Sequence, residues 1–538
     1  MFYSSLVLSI RKMSYKRNYF SRSIVLILSL ILAWVCAAGA FADVRLPAVM
    51  SDNMVLQRGK KVPIWGWAEP GEEVKVRGSW QWLGTSTKAD KNGKWMVKVQ
   101  TPKAPGPYKI TITGNNAITI NNVLAGEIWV CSGQSNMQWG LWTVNNAKEE
   151  IAAANYPDIR LFTVEREAAL EPRRDCKGKW ELCSPETVPG FSAAAYFFGR
   201  QLHKELNVPV GLIHSSWGGT CAEAWTRKET LASDADFAAV LQEHAELIAN
   251  YPKAKEEYQK KLEEYQKKLE EWKKEAAEAK VQGKEKPPKP RAPAEPLNPN
   301  SPAVLYNGMI APLIPYHIRG VIWYQGEGNA GRAYQYRKLF PAMIENWRKD
   351  WGLGDFPFYY VQIAPWKYGQ KNIAAELREA QLMTLAVPNT GMAVTMDIGD
   401  VNDIHPKNKQ DVGKRLALWA MAKTYGRKGI VYSGPIYKSM KIEGNKIRLF
   451  FGYVGSGLVA RGGELTYFKI VGEDKKFVEA KAVIDGDTIV VSSEQVTKPV
   501  AVRFGWSNTA QPNLFNKEGL PASPFRTDDW PGVTFGKK

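Results

Sequence analysis

The 538 residues are 44% hydrophobic and 23% charged. That balance excludes a disordered chain, and the length is too great for one ordinary core. The formal charge of +18 permits attraction to anionic glycans or surfaces, but no nucleic-acid motif accompanies it, so nucleic acid is not an expected partner.

The first 42 residues differ from the rest. Arg11, Lys12, Lys16, Arg17 and Arg22 precede an apolar run from Ile24 to Val35, and small residues follow to Ala40-Phe41-Ala42. This is the pattern of a secretory signal with an A-x-A cleavage site, and the run is short for a membrane span. The expectation is an exported protein, periplasmic or secreted, with no stable membrane insertion after cleavage. Four cysteines follow the signal: Cys131, Cys176, Cys183 and Cys221. Export permits disulfides, and Cys176 and Cys183 are near enough to pair. Their spacing is not that of a zinc site, and no metal or cofactor is expected.

Residues 43–122 predict an N-terminal β-sandwich. Trp95, Val97 and Val99 alternate with polar residues after an Asn92-Gly93 turn, and Tyr108, Ile110 and Ile112 alternate after Pro105-Gly106-Pro107. From 123 to 428 short apolar strands alternate with amphipathic helices. The strands are expected at Ile128–Ser132, Val210–Ser215, Gly320–Tyr324, Phe358–Ile363 and Met392–Met396. The helices are expected at Ala193–Leu206, Tyr334–Trp351, Ala374–Leu385 and Lys409–Tyr425. That order predicts an α/β domain with a parallel sheet covered on both faces.

A charged insertion at 235–302 interrupts this domain. Tyr258, Leu262, Tyr265, Leu269, Trp272 and Ala276 recur at spacings of four and three, which predicts one arm of a helical hairpin packed on its own domain. A proline-rich linker follows from Pro287. Residues 429–538 return to a β pattern, a C-terminal β domain. Its last stretch, Asn513 to Trp530, is rich in turn residues and predicts a long surface loop.

In open parallel sheets the chemistry gathers at the carboxyl ends of strands. The first strand there ends in Gly133-Gln134-Ser135-Asn136-Met137, which exposes the Ser135 hydroxyl as a candidate nucleophile. Such a serine needs a base within hydrogen-bond reach. Of the five histidines only His214 and His405 fall at the carboxyl edge. His405, in Asp403-Ile404-His405-Pro406, is preferred because carboxylates lie close enough to orient its ring. Gly218 and Gly219 end the second strand, where backbone can approach a ligand closely. Gln325 and Asn329, after the third strand, carry amide donors, and Glu327 lies between them. The tetrahedral oxygen needs such donors.

The blocks Gly133–Met137, Gln325-Gly326-Glu327 and Asp403–Pro406 resemble those of the SGNH hydrolases, and within them the sialate O-acetylesterase family. The resemblance extends to Met54-Val55-Leu56-Gln57-Arg58, to Leu377-Arg378-Glu379-Ala380-Gln381 and to Asn513–Asn516 with Pro524–Asp528. It implies a flavodoxin-like core flanked by β domains, and hydrolysis of an O-acetylated sugar. By resemblance Ser135 is the nucleophile, His405 the base, and Ser135, Gly218, Gly219 and Gln325 surround the oxyanion. Arg378, Glu327 and Asn329 would contact substrate, and a sialic acid carboxylate wants an arginine from among Arg332, Arg378 and Arg526. One departure stands out. The SGNH pattern has Asp three residues before the histidine, and here that position is Asn402. The third member is Asp403, Asp400 or a backbone carbonyl. Two rivals remain at this stage: an acetyl xylan esterase on the same core, and a non-catalytic glycan-binding protein.

Overall fold

The structure, a computed structural model, describes residues 43–538. The signal expected over 1–42 lies outside the described residues. The chain opens with β1 (Val55–Gln57), β2 (Lys61–Trp67), β3 (Glu73–Gly78), β4 (Thr85–Lys88), β5 (Lys94–Gln100) and β6 (Tyr108–Thr113). In β5, Trp95, Val97 and Val99 are buried and their neighbours exposed, so the period-two reading places one face on a core.

β7 (Ala117–Gly133) is 17 residues long and belongs to both regions. Its first part pairs antiparallel with β6, from Ala117 to Val123. Its second part is the central strand of the α/β region. The strand therefore passes straight through the 122–123 boundary drawn from the sequence. Glu127 fastens this junction. Its buried carboxylate accepts from Gln57 Nε2 at 3.0 Å, Arg58 Nε at 2.9 Å and Arg319 Nε at 2.6 Å. Burial raises the Glu127 pKa, but these partners more than offset it and hold the group below its ordinary value. The Met54–Arg58 block is thus a structural clasp.

The remaining core strands are β8 (Tyr156–Thr163), β9 (Trp180–Cys183), β10 (Val210–Ser216), β11 (Gly320–Tyr324), β12 (Phe358–Val361) and β13 (Thr390–Ala393). Their order is β13-β12-β11-β7-β10-β8-β9. All neighbours pair in parallel except the edge strand β9. Helices α1 (Ser135–Gln138), α2 (Ala193–Leu206), α3 (Ala238–Val281), α4 (Ala333–Trp351), α5 (Ile373–Met383) and α6 (Lys409–Trp419) complete the frame. Alternate strand residues feed two cores. Trp129, Leu212, Ile322 and Tyr359 pack with α2 and α6, while Val130, Ile213, Trp323 and Phe358 pack with α4 and α5. A sheet covered on both faces reads as apolar runs, which is why those strands were legible. From β7 the chain builds β8, β9 and β10 on one side of it and then crosses to β11 on the other. The carboxyl end of β7 is therefore a topological switch point.

The insertion differs from expectation in two respects: beyond its start the arm is not packed on its own domain, and it is not a helical hairpin. α3 is 44 residues long and only Val240 and His244 are buried, near its start. Its stripe from Tyr258 to Ala276 is half-buried, but no second helix covers it. Instead a proline-rich limb returns along the stripe. Pro287, Pro290, Pro293 and Pro296 are half-buried at every third residue, the period of polyproline II. Trp272 Nε1 donates to Pro287 O at 2.8 Å, and the Lys286 ammonium sits 4.6 Å from that ring. Prolines have no N–H to satisfy, so a limb of this kind can cover an apolar stripe without forming a helix.

Past residue 430 the chain forms antiparallel sheets, including one of Ile436–Glu443, Lys446–Gly452, Lys481–Asp485 and Thr488–Ser492. The terminal stretch is not the surface loop expected. Leu514, Phe515, Asn516, Ala522 and Phe525 are buried, and short strands form at Leu514–Asn516 and Phe525–Arg526. Arg526 Nε donates to Glu379 at 2.8 Å, while Glu376 accepts from the N–H groups of Val533 and Thr534. The terminal segment is strapped to α5. All four cysteines are free thiols. Among the described residues no helix is long and apolar enough to cross a membrane, and no cluster could hold a metal ion.

Candidate active site

Gly133 ends β7 at φ +139°, and a Cβ there would lie 2.2 Å from Tyr324 O. Only glycine fits so close to β11, and its backbone turns the chain sharply out of the sheet. Gln134 N then donates to Tyr324 O at 2.9 Å, and Ser135 begins α1 with its side chain partly exposed. The buried Gln134 amide oxygen accepts from Gly326 N and Gly328 N, each at 3.2 Å. The residues around Ser135 thus bind the loop after β11 to the end of β7.

His405 lies far along the chain yet meets Ser135. Its Nε2 is 2.9 Å from Ser135 Oγ. The ring stacks on Trp139 at 4.5 Å with 20° between planes. Burial, and then the positive charge of Lys409, lower the His405 pKa, while Asp403 opposes them. The imidazole is consequently neutral near pH 7, as a general base must be.

The third position is weaker than in a buried triad. Asp403 Oδ1 lies 3.5 Å from His405 Nδ1, beyond ordinary hydrogen-bond length, and the carboxylate is 40% exposed. The same oxygen accepts from His405 N at 2.9 Å. Asp400 accepts from Asn402 N, and Asn402 Oδ1 accepts from Lys367 Nζ, so neither faces the ring nitrogen. Orientation of the imidazole is shared between Asp403 and the Trp139 face. Asp403→Ala is expected to lower kcat only about tenfold, against the roughly 10⁴-fold cost of disabling a buried, aligned carboxylate. Steady-state kinetics on a small acetyl ester check this. A loss near 10⁴-fold would make Asp403 a full triad member.

His214, the other histidine at this edge, is a core residue. It is buried, its Nε2 is 2.5 Å from Ser216 Oγ, and burial pulls its pKa down to about 4.

Several expected ligand-facing groups are engaged elsewhere. Gln325 is fully buried; its Nε2 donates to Thr220 O at 3.2 Å and Asn329 Oδ1 at 2.7 Å, and its Oε1 accepts from Tyr336 at 3.0 Å. No donor of that amide remains for an oxyanion. Asn329 is also buried, accepting from Ala222 N at 2.9 Å and donating to Glu223 at 2.8 Å. These two amides pin the loop after β10 to the end of β11 and do not face a substrate. Arg378 has no exposed surface. Its guanidinium donates to four backbone carbonyls, those of Ile363, Ala364, Ser507 and Asn508. It is a structural cross-link between α5 and the terminal β region.

The two glycines divide. Gly218 N–H donates to Gln138 Oε1 at 2.7 Å, and a Cβ on Gly218 would lie 3.2 Å from Ser135 Cβ. That spacing places the Gly218 backbone beside Ser135. Gly219 is exposed, at φ +76°, and its N–H has no acceptor among the described residues. The Ser135 N–H likewise opens a helix and has no acceptor within it.

Glu327 takes a place the sequence did not suggest. Its Oε1 accepts from Asn136 Nδ2 at 2.7 Å, and its Oε2 is buried without a partner. Burial raises its pKa. Asn136 also donates to Ile404 O at 3.0 Å and accepts from Lys409 Nζ at 2.6 Å. Lys409 is fully buried, and that burial brings its pKa down to about 7. A Glu327–Asn136–Lys409 array therefore lies beneath the Ser135–His405 pair. Sequence reasoning missed Asn136, Gln138, Trp139 and Lys409. Asn136 sits in the quoted serine block, and Lys409 opens the helix that the sequence placed just after His405.

Comparison with known proteins follows the same lines. A family model described as carbohydrate esterase, sialic acid-specific acetylesterase, matches residues 125–276 and 300–422. The gap between them covers the tip and returning limb of the arm. A rat protein named sialate O-acetylesterase is 32% identical over 78% of this chain and 81% of its own. The human protein of that name is 29% identical over 94% of this chain and 98% of its own. A solved structure titled a novel carbohydrate acetylesterase, from Xanthomonas citri, is 36% identical with a TM-score of 0.76. It covers 91% of this chain and 100% of that one.

Proposed function

Because this chain belongs to the sialic acid-specific acetylesterase family of carbohydrate esterases, we propose that Ser135 and His405 are its catalytic pair and that its substrate is an O-acetylated sialic acid. The chain is a carbohydrate O-acetylesterase, a hydrolase of ester bonds. The observation that carries the catalytic assignment is the 2.9 Å contact between Ser135 Oγ and His405 Nε2.

In the reaction His405 Nε2 takes the Ser135 proton as Oγ attacks the acetyl carbonyl carbon. The carbonyl oxygen becomes an oxyanion facing the N–H groups of Ser135 and Gly219. Collapse breaks the bond to the sugar oxygen, which leaves with the proton from His405. Water, deprotonated by His405, then attacks the acetyl-serine; the bond between the acyl carbon and Ser135 Oγ breaks, His405 returns the proton to Oγ, and acetate departs. Gln325 supports the site by holding the loops in place. We read the core as an SGNH hydrolase of flavodoxin type, a reading supported by nucleophile, glycine pair and base arising from separate strand ends. Export is part of the proposal on the sequence of residues 1–42 alone, and a mature chain beginning at Asp43 is its mark.

Acetate release from O-acetylated sialic acid and from acetylated xylo-oligosaccharide tests the substrate. A higher kcat/KM on the sialic acid is expected. Faster turnover of the xylo-oligosaccharide would replace the sialate reading with a plant-polysaccharide one.

A further inference from the structure

What separates a sialic acid from neutral sugars is its carboxylate, and recognising that group calls for a cation with unengaged donors. The arginines suggested by the sequence are all committed. Arg332 pairs with Glu223, Arg378 is held by backbone carbonyls, and Arg526 pairs with Glu379 and Asp528. Lys409, though beside the site, is fully buried against Asn136.

We infer that Arg166 is the carboxylate anchor of this site, an inference that rests on the sialate reading above. Arg166 is exposed and follows the carboxyl end of β8. Val164 N donates to His214 O at 2.9 Å, which sets this segment beside the end of β10. The Arg166 guanidinium carbon lies 5.8 Å from the centre of the Trp217 ring. Trp217 N donates to Gly133 O at 3.1 Å, and a Cβ on the next residue, Gly218, would lie 3.2 Å from Ser135 Cβ. Arg166 thus stands on the residue that joins β10 to the glycines at the nucleophile.

The packing suits the role. At 5.8 Å the guanidinium is within cation–π reach of the indole without being used up by it, so its N–H groups are available for a carboxylate fork. Among the described residues no hydrogen bond or ion pair engages those donors. The nearby Glu167 is paired with Arg173. An exposed, unpaired arginine at this edge is free to exchange its water for a ligand carboxylate.

The test compares an O-acetylated sialic acid with its C1 methyl ester, which keeps the acetyl group and removes the negative charge. The wild-type enzyme is expected to favour the acid by about tenfold or more in kcat/KM, the scale of a hydrogen bond to a charged group. In Arg166→Gln that ratio falls toward one, chiefly through KM for the acid, and Arg166→Lys restores part of it. A wild-type enzyme that turns over acid and methyl ester alike would overturn the sialate reading together with the anchor. A wild-type preference that survives intact in Arg166→Gln would overturn the anchor alone, and the carboxylate would then be held elsewhere.

Discussion

Ser135→Ala is expected to lower acetate release by about 10⁴-fold or more while leaving the unfolding temperature within a degree or two. The loss is large because the hydroxyl is both the attacking atom and the group His405 deprotonates. Alanine leaves the imidazole with nothing to activate but water. The fold should tolerate the change for equally local reasons. The Ser135 side chain is partly exposed, and its one hydrogen bond is to His405, itself partly exposed and able to take water in exchange. Gly133, which sets the sharp turn, and Gln134, which ties the neighbouring loop, are untouched. Labelling by a serine-directed fluorophosphonate should disappear with the activity. Retention of near-normal rates by a folded Ser135→Ala protein would remove Ser135 from the mechanism.

How much of this could be read from the sequence follows from what each residue type must do. β10, β11 and β12 are buried on both faces, so their apolar runs announce them. β8 was missed because Pro157 and Asp158 follow its first residue and it buries Arg160, whose guanidinium donates to the carbonyls of Asn53, Pro157 and Asn122. No periodicity signals a strand of that composition. The Ser135–His405 pair was legible because the proposed catalysis restricts residue type and strand end together. Their supports were not. Gln325, Asn329 and Arg378 carry the chemistry of ligand-binding groups, and only tertiary placement shows that their partners are protein atoms. The Leu377–Gln381 and Pro524–Asp528 blocks carry part of the family resemblance, and the sequence alone does not say what they do. In the fold they meet each other through Glu379 and Arg526, which makes them the two halves of one structural contact. The arm shows the same limit. Its heptad stripe called for an apolar partner, but the stripe alone does not distinguish a second helix from a proline limb.

Lys409→Met is expected to reduce kcat by about 10²-fold, the cost of a misplacement on the order of 1 Å, in a protein that folds at least as well as the wild type. Lys409 acts as a positioning residue, through Asn136 and through its charge. Its Nζ fixes the Asn136 amide, whose other end donates to Glu327 and to the carbonyl of Ile404, the residue before His405. Methionine removes that donor and lets the His405 loop relax. The charge has a separate effect. After burial, Lys409 is the next cause lowering the His405 pKa, so the wild-type acid limb of kcat/KM should lie below 6.5, the ordinary imidazole value. Without the ammonium the His405 pKa rises, and that limb should move to higher pH. Stability should respond in its own direction. The groups facing Lys409 are Glu327, Asp403 and His405, and its pKa of about 7 is depressed by burial from 10.5. Between those two pH values the unfolded chain holds the proton and the folded one releases it. Wild-type stability therefore climbs across that window, whereas methionine does not titrate. The advantage of Lys409→Met in thermal unfolding should be largest below pH 7 and shrink as the pH rises. A slower enzyme whose acid limb has not moved would reduce Lys409 to a packing residue. An unchanged kcat would remove the buried array from any part in aligning the imidazole.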